Sequence, residues 1–260
     1  MIELAYSLVT NGTKLYFLNS KQYGKLVLKL YHEGSINEAR IHMKAFKLCP
    51  GGVVKILGAN SYNGEPGILL QRCRYTTEDY DFKGKSKKLE DLIKSTLNTM
   101  KILHDSDIVH RDLKPSNIFY HDGKFKIGDF GEAASINEEY ELQINRGTKS
   151  YMSRAYIMHY EGGLWNGRID AKKEDVWALG KTFLELLCGV RFPDLNRRDD
   201  NFVRKFVEEQ LNKLDFCSNI KEAILGMLEP NQDKRLSMED ALNLINRNNS
   251  CGKGDNDNTL

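Results

Sequence analysis

Features that mark several specialised classes of protein are missing from this sequence. Its 260 residues include only five cysteines and five prolines, and no two cysteines form a C-x-x-C pair. Cysteines that are odd in number and widely spaced suggest neither a disulfide framework nor a zinc site. We therefore expect a reducing compartment, the cytoplasm or alternatively the nucleus.

Long apolar runs and charge of one sign are also absent. The most apolar stretch, residues 176–190, contains Lys181 and Glu185, and the amino terminus lacks the charged and apolar blocks of a secretory leader. The net charge is +2, with acids and bases interspersed. This pattern argues against nucleic acid or a membrane as the main partner.

What the sequence does contain is a dense group of polar residues near its centre. It consists of two stretches, His110-Arg111-Asp112-Leu113-Lys114-Pro115-Ser116-Asn117 and Asp129-Phe130-Gly131. Between them, two short apolar segments at residues 118–120 and 124–127 flank the turn signal His121-Asp122-Gly123. This pattern predicts a hairpin that holds both polar loops on one side.

These residue types suit phosphoryl transfer, in which the catalyst mainly positions the reactants and offsets phosphate charge. Asp112 can orient an attacking hydroxyl and accept its proton, while Lys114 can offset charge on the moving phosphoryl group. Asn117 and Asp129 supply oxygen ligands. Such ligands suit Mg²⁺, which takes few groups from protein and the rest from phosphates and water.

The two stretches match the H-R-D-L-x-x-x-N and D-F-G signatures, so the chain resembles the catalytic domain of eukaryotic protein kinases. Lys114 is typical of the serine/threonine class. The resemblance implies an α+β, two-lobed fold in a single domain. A small lobe at residues 1–72 would hold a five-stranded antiparallel sheet and one helix, and a mainly helical lobe would follow at residues 73–247. Residues 248–260 are expected to be a disordered tail.

The resemblance also implies an activity. The enzyme would transfer the γ-phosphate of Mg-ATP to a serine or threonine hydroxyl of a protein substrate, with ATP and magnesium as its cofactors. We expect it to act as a monomer.

Alternating and periodic apolar residues predict the elements of both lobes. The predicted strands cover residues 4–9, 14–18, 25–31, 53–57 and 67–71. Predicted helices follow a capping signal at residues 35–38 and cover residues 89–104, 175–187, 201–214, 218–228 and 237–245. Ser237-Met238-Glu239-Asp240 is the predicted cap of the last helix.

The third predicted strand contains Leu26-Val27-Leu28-Lys29, which resembles the kinase V-A-I-K. The resemblance implies that Lys29 holds the α- and β-phosphates and that Val27 lies against adenine. It also implies that Leu15 lies over adenine and Phe119 beneath it, where a smaller aliphatic residue is more usual. Either Leu70 or Gln71 would set the depth of the pocket, and the sequence does not choose between them.

Glu38 has two possible roles. Ser35-Ile36-Asn37-Glu38 has the form of a capping box. The resemblance instead makes Glu38 the helix glutamate that pairs with Lys29, and we favour this role. Because only nine residues separate the two, the helix would have to begin shortly before Glu38.

The sequence departs from the kinase pattern at two further places. Only Gly12 remains of the glycine-rich phosphate loop, which predicts weaker ATP binding. Ser153-Arg154-Ala155 stands where the family has A-P-E. Arg235, which resembles the distant arginine that pairs with the A-P-E glutamate, then needs another partner that the sequence does not identify.

Arg111 is typical of kinases that are switched by phosphorylation of the activation loop. Between residues 134 and 147 only Ser135 and Tyr140 carry hydroxyls, and several glutamates flank Tyr140. One hypothesis is that a glutamate among Glu138, Glu139 and Glu141 replaces the phosphate, so that the enzyme is active as made. The alternative is a solvated acidic loop.

Two competing functions remain open. The missing glycines, Phe119 and the absent A-P-E favour a pseudokinase, a nucleotide-binding or scaffold module. A small-molecule phosphotransferase would need the catalytic carboxylate and metal ligands but no peptide-docking segment. Gly147-Thr148 and Tyr151-Met152, which resemble the end of a kinase activation loop, argue against that second possibility. The resemblance implies that Thr148 contacts Asp112 and Lys114.

Overall fold

The structure is a computed structural model that describes residues 2–10, 13–30, 36–136, 146–162 and 168–247. The chain divides into two compact units. The first takes in Met1–Asp81 and Thr99–Thr148, and the second takes in Phe82–Asn98 and the chain from Lys149 onward.

A five-stranded antiparallel sheet forms the main part of the first unit, in the order β1-β2-β3-β5-β4. Its strands are β1 (Ile2–Thr10), β2 (Thr13–Ser20), β3 (Gly24–Leu30), β4 (Ile56–Tyr62) and β5 (Glu65–Gln71).

The fourth strand differs from the prediction of residues 53–57. Val53 and Val54 are buried ahead of β4, and Val53 forms only an isolated bridge to Ile127. The strand extends instead to a two-residue turn at Asn63 and Gly64, whose φ angles of 52° and 80° are those of a tight hairpin turn. The predicted strand was wrong because it followed the apolar run and overlooked this Asn-Gly signal.

Helix α1 (Ile36–Leu48) belongs to the same unit. Ala39 of this helix packs in one apolar cluster with Ile56 and Ile68 of the sheet. The two faces of β3 differ in burial. Its even-numbered leucines are buried, and Val27 and Lys29 are partly exposed on the other face. This alternation turns Lys29 towards the side from which α1 supplies Glu38.

The remaining elements up to residue 136 are α2 and five short strands. They are β6 (Tyr75–Thr76), α2 (Ser86–Asp105), β7 (Ile108–Val109), β8 (Ile118–His121), β9 (Lys124–Ile127) and β10 (Ala134–Ser135). Strands β6, β8 and β9 form a three-stranded sheet, and β10 pairs with β7.

The second unit is mainly helical in its described part. Besides the part of α2 that precedes Thr99, its helices are α3 (Arg154–Tyr160), α4 (Ala171–Cys188), α5 (Asp200–Asn212), α6 (Ser218–Met227) and α7 (Met238–Asn246). Helix α4 is buried along most of its length and approaches α6 closely at Gly180, where an added Cβ would lie 2.8 Å from Cβ of Met227. Ser237 and Asp240 form the predicted capping box of α7.

The predicted α+β fold is confirmed, with a five-stranded antiparallel sheet and one helix in the small lobe and a mainly helical large lobe. The lobe boundary at residues 72 and 73 stays a prediction, and the tail at residues 248–260 lies outside the described residues. No helix in the described ranges is long and apolar enough to span a membrane. Cys49, Cys73 and Cys188 are free thiols.

Candidate active site

A tight hairpin joins the two polar loops, as the sequence predicted. Strands β8 and β9 pair from Ile118 with Ile127 to His121 with Lys124. The two residues of the turn, Asp122 and Gly123, have φ angles of 47° and 78°, which matches the twist of the paired strands. The hairpin therefore fixes the first loop, which precedes β8, beside the second loop, which follows β9.

Backbone hydrogen bonds tie these loops to each other and to the segment before α2. The amide of Gly128 donates to the carbonyl of Asn117 at 3.0 Å. The hydroxyl of the buried Thr77 donates to the carbonyl of Pro115 at 2.8 Å, and its amide donates to Ile118 at 2.7 Å. The loop that carries Asp112 is thus held on two sides.

The carboxylate of Asp112 lies at the centre of the first loop and is 11 % exposed. The side-chain amide of Asn117 donates to its Oδ2 at 2.9 Å and to its backbone carbonyl at 2.8 Å. Nζ of Lys114 lies 2.8 Å from the same Oδ2. These contacts fix the orientation of the carboxylate and place a cation beside it.

Thr148 covers the other oxygen of Asp112. Its hydroxyl and its amide donate to Oδ1 at 2.6 and 2.9 Å, and the hydroxyl accepts from Nζ of Lys114 at 2.7 Å. The predicted contact of Thr148 with Asp112 and Lys114 is confirmed. Thr148 thus helps to fix both the carboxylate of Asp112 and the ammonium group of Lys114.

Lys29 brings together two carboxylates that lie far apart in the sequence. Its Nζ is 2.9 and 3.1 Å from the carboxylate oxygens of Glu38 and 2.7 Å from Oδ1 of Asp129. Glu38 stands in the first turn of α1, which begins only two residues earlier. The predicted Lys29–Glu38 pair and the shortened helix are therefore confirmed, whereas Ser35 of the alternative capping box lies outside the described residues.

The charges of this cluster shift one another. Burial acts to lower the pKa of Lys29, but the carboxylates of Asp129 and Glu38 more than offset this and raise it. Burial raises the pKa of Glu38, against the pull of Lys29. Burial opposes ionisation of Asp129 as well, but Lys29 keeps the pKa of that carboxyl below its usual range. The cluster thus holds a firmly protonated lysine beside an ionised aspartate.

Asp129 has an unusual backbone conformation. Its φ of 57° lies in the left-handed region, which costs a residue other than glycine about 1 kcal/mol or more. The next residue, Phe130, is fully buried against His42 and His110, with ring centroids 4.7 and 5.0 Å apart. A ring nitrogen of His110 also lies 3.0 Å from the carbonyl of Gly128. Packing of Phe130 therefore anchors the strained turn that presents Asp129.

One face of the five-stranded sheet carries Leu15 and Val27, two of the three residues predicted to contact adenine. Leu15 lies opposite Lys29 on neighbouring strands, and Leu70 lies opposite Val27. Since residues directly opposite each other in a sheet share a face, Leu70 lies on the lysine side and Gln71 does not. Of the two residues that the sequence left open, Leu70 is therefore the one on the face that carries Lys29.

Phe119 lies against Gly128, the residue immediately before Asp129. A Cβ added at Gly128 would lie 2.8 Å from Cε2 of the Phe119 ring and 2.9 Å from Cγ2 of the buried Val54. Crowding by the Phe119 ring and the Val54 methyl group, rather than the backbone angle, therefore favours glycine here. The large residue at 119 and the smallest residue at 128 fit each other.

The oxygen donors of the site fit magnesium that is shared with a nucleotide. Asn117 uses its NH₂ group in the bonds to Asp112, which leaves its carbonyl oxygen as a ligand atom. Asp129 contributes a carboxylate. Among the described residues no group of three or more histidines, cysteines, aspartates or glutamates could hold a metal. Mg²⁺ sites commonly combine a few protein oxygens with phosphate oxygens, and Asn117 and Asp129 could supply the protein oxygens.

Arg111, which precedes Asp112, donates from Nε to the backbone carbonyl of Glu132. The acidic residues of the substitution hypothesis, Glu138, Glu139 and Glu141, lie outside the described residues, as does Tyr140. That hypothesis stays a prediction.

The partner of Arg235 is a carboxylate that the sequence did not identify. Glu174, in the first turn of α4, lies 3.0 Å from the fully buried guanidinium of Arg235. Its two oxygens also accept from the hydroxyl and the amide of Ser153, at 2.8 and 3.1 Å. Glu174 is thus the partner of Arg235 that the missing A-P-E glutamate left open.

Comparison with known proteins agrees with this geometry. The sequence profile described as "Protein kinase domain" matches residues 29–244. The chain is 30 % identical over 162 residues to the human liver/testis phosphorylase b kinase gamma catalytic chain, covering 60 % of this chain and 39 % of that protein.

Two further relatives are also described as kinases. The chain is 29 % identical over 157 residues to a probable myosin light chain kinase of Dictyostelium discoideum, covering 58 % of this chain and 31 % of the relative. It is 24 % identical over 235 residues to a probable cAMP-dependent protein kinase catalytic subunit of Encephalitozoon cuniculi, covering 88 % and 69 %. The chain matches less than half the length of the human and Dictyostelium relatives.

Proposed function

The chain belongs to the protein kinase domain family, and on that basis we propose that it is an active serine/threonine protein kinase. It transfers the γ-phosphate of Mg-ATP to a serine or threonine hydroxyl of a protein substrate. The single observation that carries the proposal is the arrangement around Asp112, whose carboxylate is held by Asn117, Lys114 and Thr148 at hydrogen-bonding distance.

Each residue of the site has a role in this proposal. Asp112 orients the acceptor hydroxyl and takes its proton, and Lys114 offsets negative charge as the phosphoryl group moves. Asn117 and Asp129 hold magnesium, which neutralises phosphate charge when bound. Lys29, positioned by Glu38, holds the phosphates, while Leu15, Val27 and Phe119 contact the base.

The alternative is a pseudokinase that binds nucleotide or serves as a scaffold. The degenerate phosphate loop supports it, because β1 and β2 pair as far as Thr10 and Thr13, with side chains in place of most glycines. Against it stands the complete set of polar groups around Asp112 and Lys29. A protein that had lost catalysis would have no need to keep Lys114 and Thr148 on the same carboxylate.

The experiment is transfer of labelled γ-phosphate from Mg-ATP to a mixture of unstructured proteins, followed by phosphoamino-acid analysis. We expect phosphoserine and phosphothreonine and no phosphotyrosine. Nucleotide binding in a fluorescence assay without any transfer would support the pseudokinase instead. We also propose a cytoplasmic or nuclear location and a monomeric state. Size-exclusion chromatography tests the monomeric state.

A further inference from the structure

Three basic side chains of the second unit have neutral partners. Nζ of Lys149 lies 4.8 Å from the centre of the Tyr160 ring. The guanidinium of Arg198 lies 5.4 Å from the centre of the Phe202 ring. Arg154 donates to main-chain carbonyls, at 2.7 Å to Arg198 and at 3.5 Å to its neighbour.

Other cations of the same unit are paired with carboxylates. Arg197 makes two bonds to Glu161, at 2.7 and 2.8 Å, and Arg204 makes two to Glu229, at 2.6 and 3.0 Å. Among the described residues no carboxylate lies within ion-pair distance of Lys149, Arg154 or Arg198. We refer to these three residues as the cationic surface.

The three cations are carried by elements that touch one another. Lys149 opens the short 3₁₀ turn Lys149–Tyr151, and a second turn, Leu195–Arg197, directly precedes Arg198. The side chain of Asn196 links the turns, because it donates to the carbonyls of Lys149 and Met152 at 2.8 and 2.9 Å. Contacts to rings and carbonyls restrict the cations without neutralising them, so their charge remains available to an anion.

Three acidic residues lie near the cationic surface. Glu161 is committed to Arg197. Asp199 accepts from the amide of Phe202 as the cap of α5, and this bond and the charge of Arg154 keep the pKa of Asp199 below its usual range. Asp194 is exposed and adds negative charge beside Arg197. These acids weaken the positive field of the cationic surface but do not pair with it.

The position of Lys149 in the chain connects this surface to the reaction. Lys149 directly follows Thr148, whose hydroxyl contacts Asp112, and consecutive Cα atoms are only about 3.8 Å apart. A polypeptide that presents its hydroxyl to Asp112 must therefore pass close to the start of the cationic surface.

We propose that the cationic surface binds an acidic segment of the protein substrate, with aspartate or glutamate side chains close to the acceptor hydroxyl. The proposal rests on the proposed kinase function and names the class of substrate that the kinase takes. Complementary charge of this kind selects partners and speeds their association.

The experiment compares three peptides that share one serine and differ only in having glutamate, alanine or arginine on both sides of it. We expect kcat/KM to decrease in that order. Replacing one exposed charge typically changes an interaction by about 0.2–1 kcal/mol, so Lys149→Ala or Arg198→Ala should lower kcat/KM on the glutamate peptide by about 1.4- to 5-fold at low salt. Lys149→Glu should shift the preference towards the arginine peptide.

Matched controls keep the result specific. Lys205→Ala removes a cation of the same unit that is 80 % exposed and lies 3.9 Å from Glu209, and it should leave the ratio between peptides unchanged. Melting temperatures of all variants verify folding. Equal kcat/KM for the three peptides, or the same ratio in Lys149→Glu as in the wild type, would overturn the proposal.

A binding measurement separates this proposal from the kinase function. Anisotropy of a labelled glutamate peptide is measured on Asp112→Asn protein with and without Lys149→Glu. If no peptide is phosphorylated by the wild type but the glutamate peptide binds and Lys149→Glu abolishes binding, the acidic-segment proposal stands and the kinase function fails. If the wild type phosphorylates all three peptides equally well, the kinase function stands and the acidic-segment proposal fails.

Discussion

The guanidinium of Arg235 is fully buried and lies 3.0 Å from a carboxylate oxygen of Glu174, 61 residues earlier in the chain. Arg235 also donates to the carbonyls of Lys173, Glu229 and Pro230, and it lies over the ring of Trp177 at 5.0 Å. Because Glu174 binds Ser153 as well, the pair joins the segment before α3 to α4 and to the region before α7.

Loss of this carboxylate should strongly destabilise the fold. Glu174→Ala leaves a buried guanidinium without its counter-ion, and we expect the free energy of unfolding to decrease by about 3–5 kcal/mol. Chemical denaturation measures this. Glu65→Gln, which removes the acid of an exposed pair with Lys14, is the control and should leave the midpoint nearly unchanged. A Glu174→Ala midpoint equal to that of the control would contradict this account.

The fit between Phe119 and Gly128 predicts a coupled pair. Gly128→Ala forces a methyl group to within 2.8 Å of the ring and should cost about 1–3 kcal/mol. Phe119→Leu removes the ring, so Gly128→Ala should cost less in that background, with a coupling energy of at least about 0.5 kcal/mol. A double-mutant cycle of unfolding free energies tests this. Strictly additive costs would show that the ring does not dictate the glycine.

Burial of His42 predicts a dependence of stability on pH. Burial lowers the pKa of His42 to about 4, and one ring nitrogen lies 2.8 Å from the carbonyl of Val54. In the unfolded chain His42 has an ordinary pKa of about 6.5. Between pH values of about 4 and about 6.5 the unfolded chain therefore binds more protons than the folded protein, and the free energy of unfolding decreases as pH falls through this range. The decrease should amount to at most about 3 kcal/mol.

His42→Leu should flatten this dependence, because leucine fills a similar space beside Phe130 without a titrating group. Denaturant melts at a series of pH values from about 4 to about 7 measure the slope for both proteins. His159→Leu, at a partly exposed position of α3, is the control and should retain the wild-type slope. The account fails if His42→Leu and the wild type lose stability in parallel.

Thr148 should act as a positioning residue for Asp112. Thr148→Ala removes the hydroxyl that contacts Asp112 and Lys114, and misplacement of the carboxylate should lower kcat by about 10²-fold. Thr148→Ser keeps the hydroxyl and should retain most of the activity. The kcat of the two variants, with KM for ATP as an internal check, tests this role, and equal kcat values would contradict it.

How much could be predicted from the sequence depended on whether the signal was local. The β8–β9 hairpin and the capping box of α7 were confirmed, because an Asp-Gly turn and a Ser-x-x-Asp cap act within a few residues. Strand β4 was misplaced because its exposed half has little apolar character. The Asn63-Gly64 turn carried the signal that would have corrected it.

Within the site, the contacts of Lys29 with Glu38 and of Thr148 with Asp112 were predicted through a family resemblance. Glu174 could not be identified as the partner of Arg235, because nothing in a local pattern reports a contact across 61 residues. Gly128 was also missed. The sequence shows that Gly128 directly precedes Asp129. Only the structure shows that the Phe119 ring packs against it and why the residue is glycine.

The most direct test of the central claim compares phosphate transfer by the wild type, Asp112→Asn and Lys29→Met. Each has a matched control. For Asp112 it is Asp122→Asn, at an 85 % exposed turn position of the hairpin that follows the Asp112 loop, and for Lys29 it is Lys25→Met, on the same face of β3. We expect both site variants to lose transfer by about 10³-fold or more, with unfolding midpoints close to the wild type and both controls active. Transfer that persists in Asp112→Asn, or that is absent from the wild type, would contradict the account.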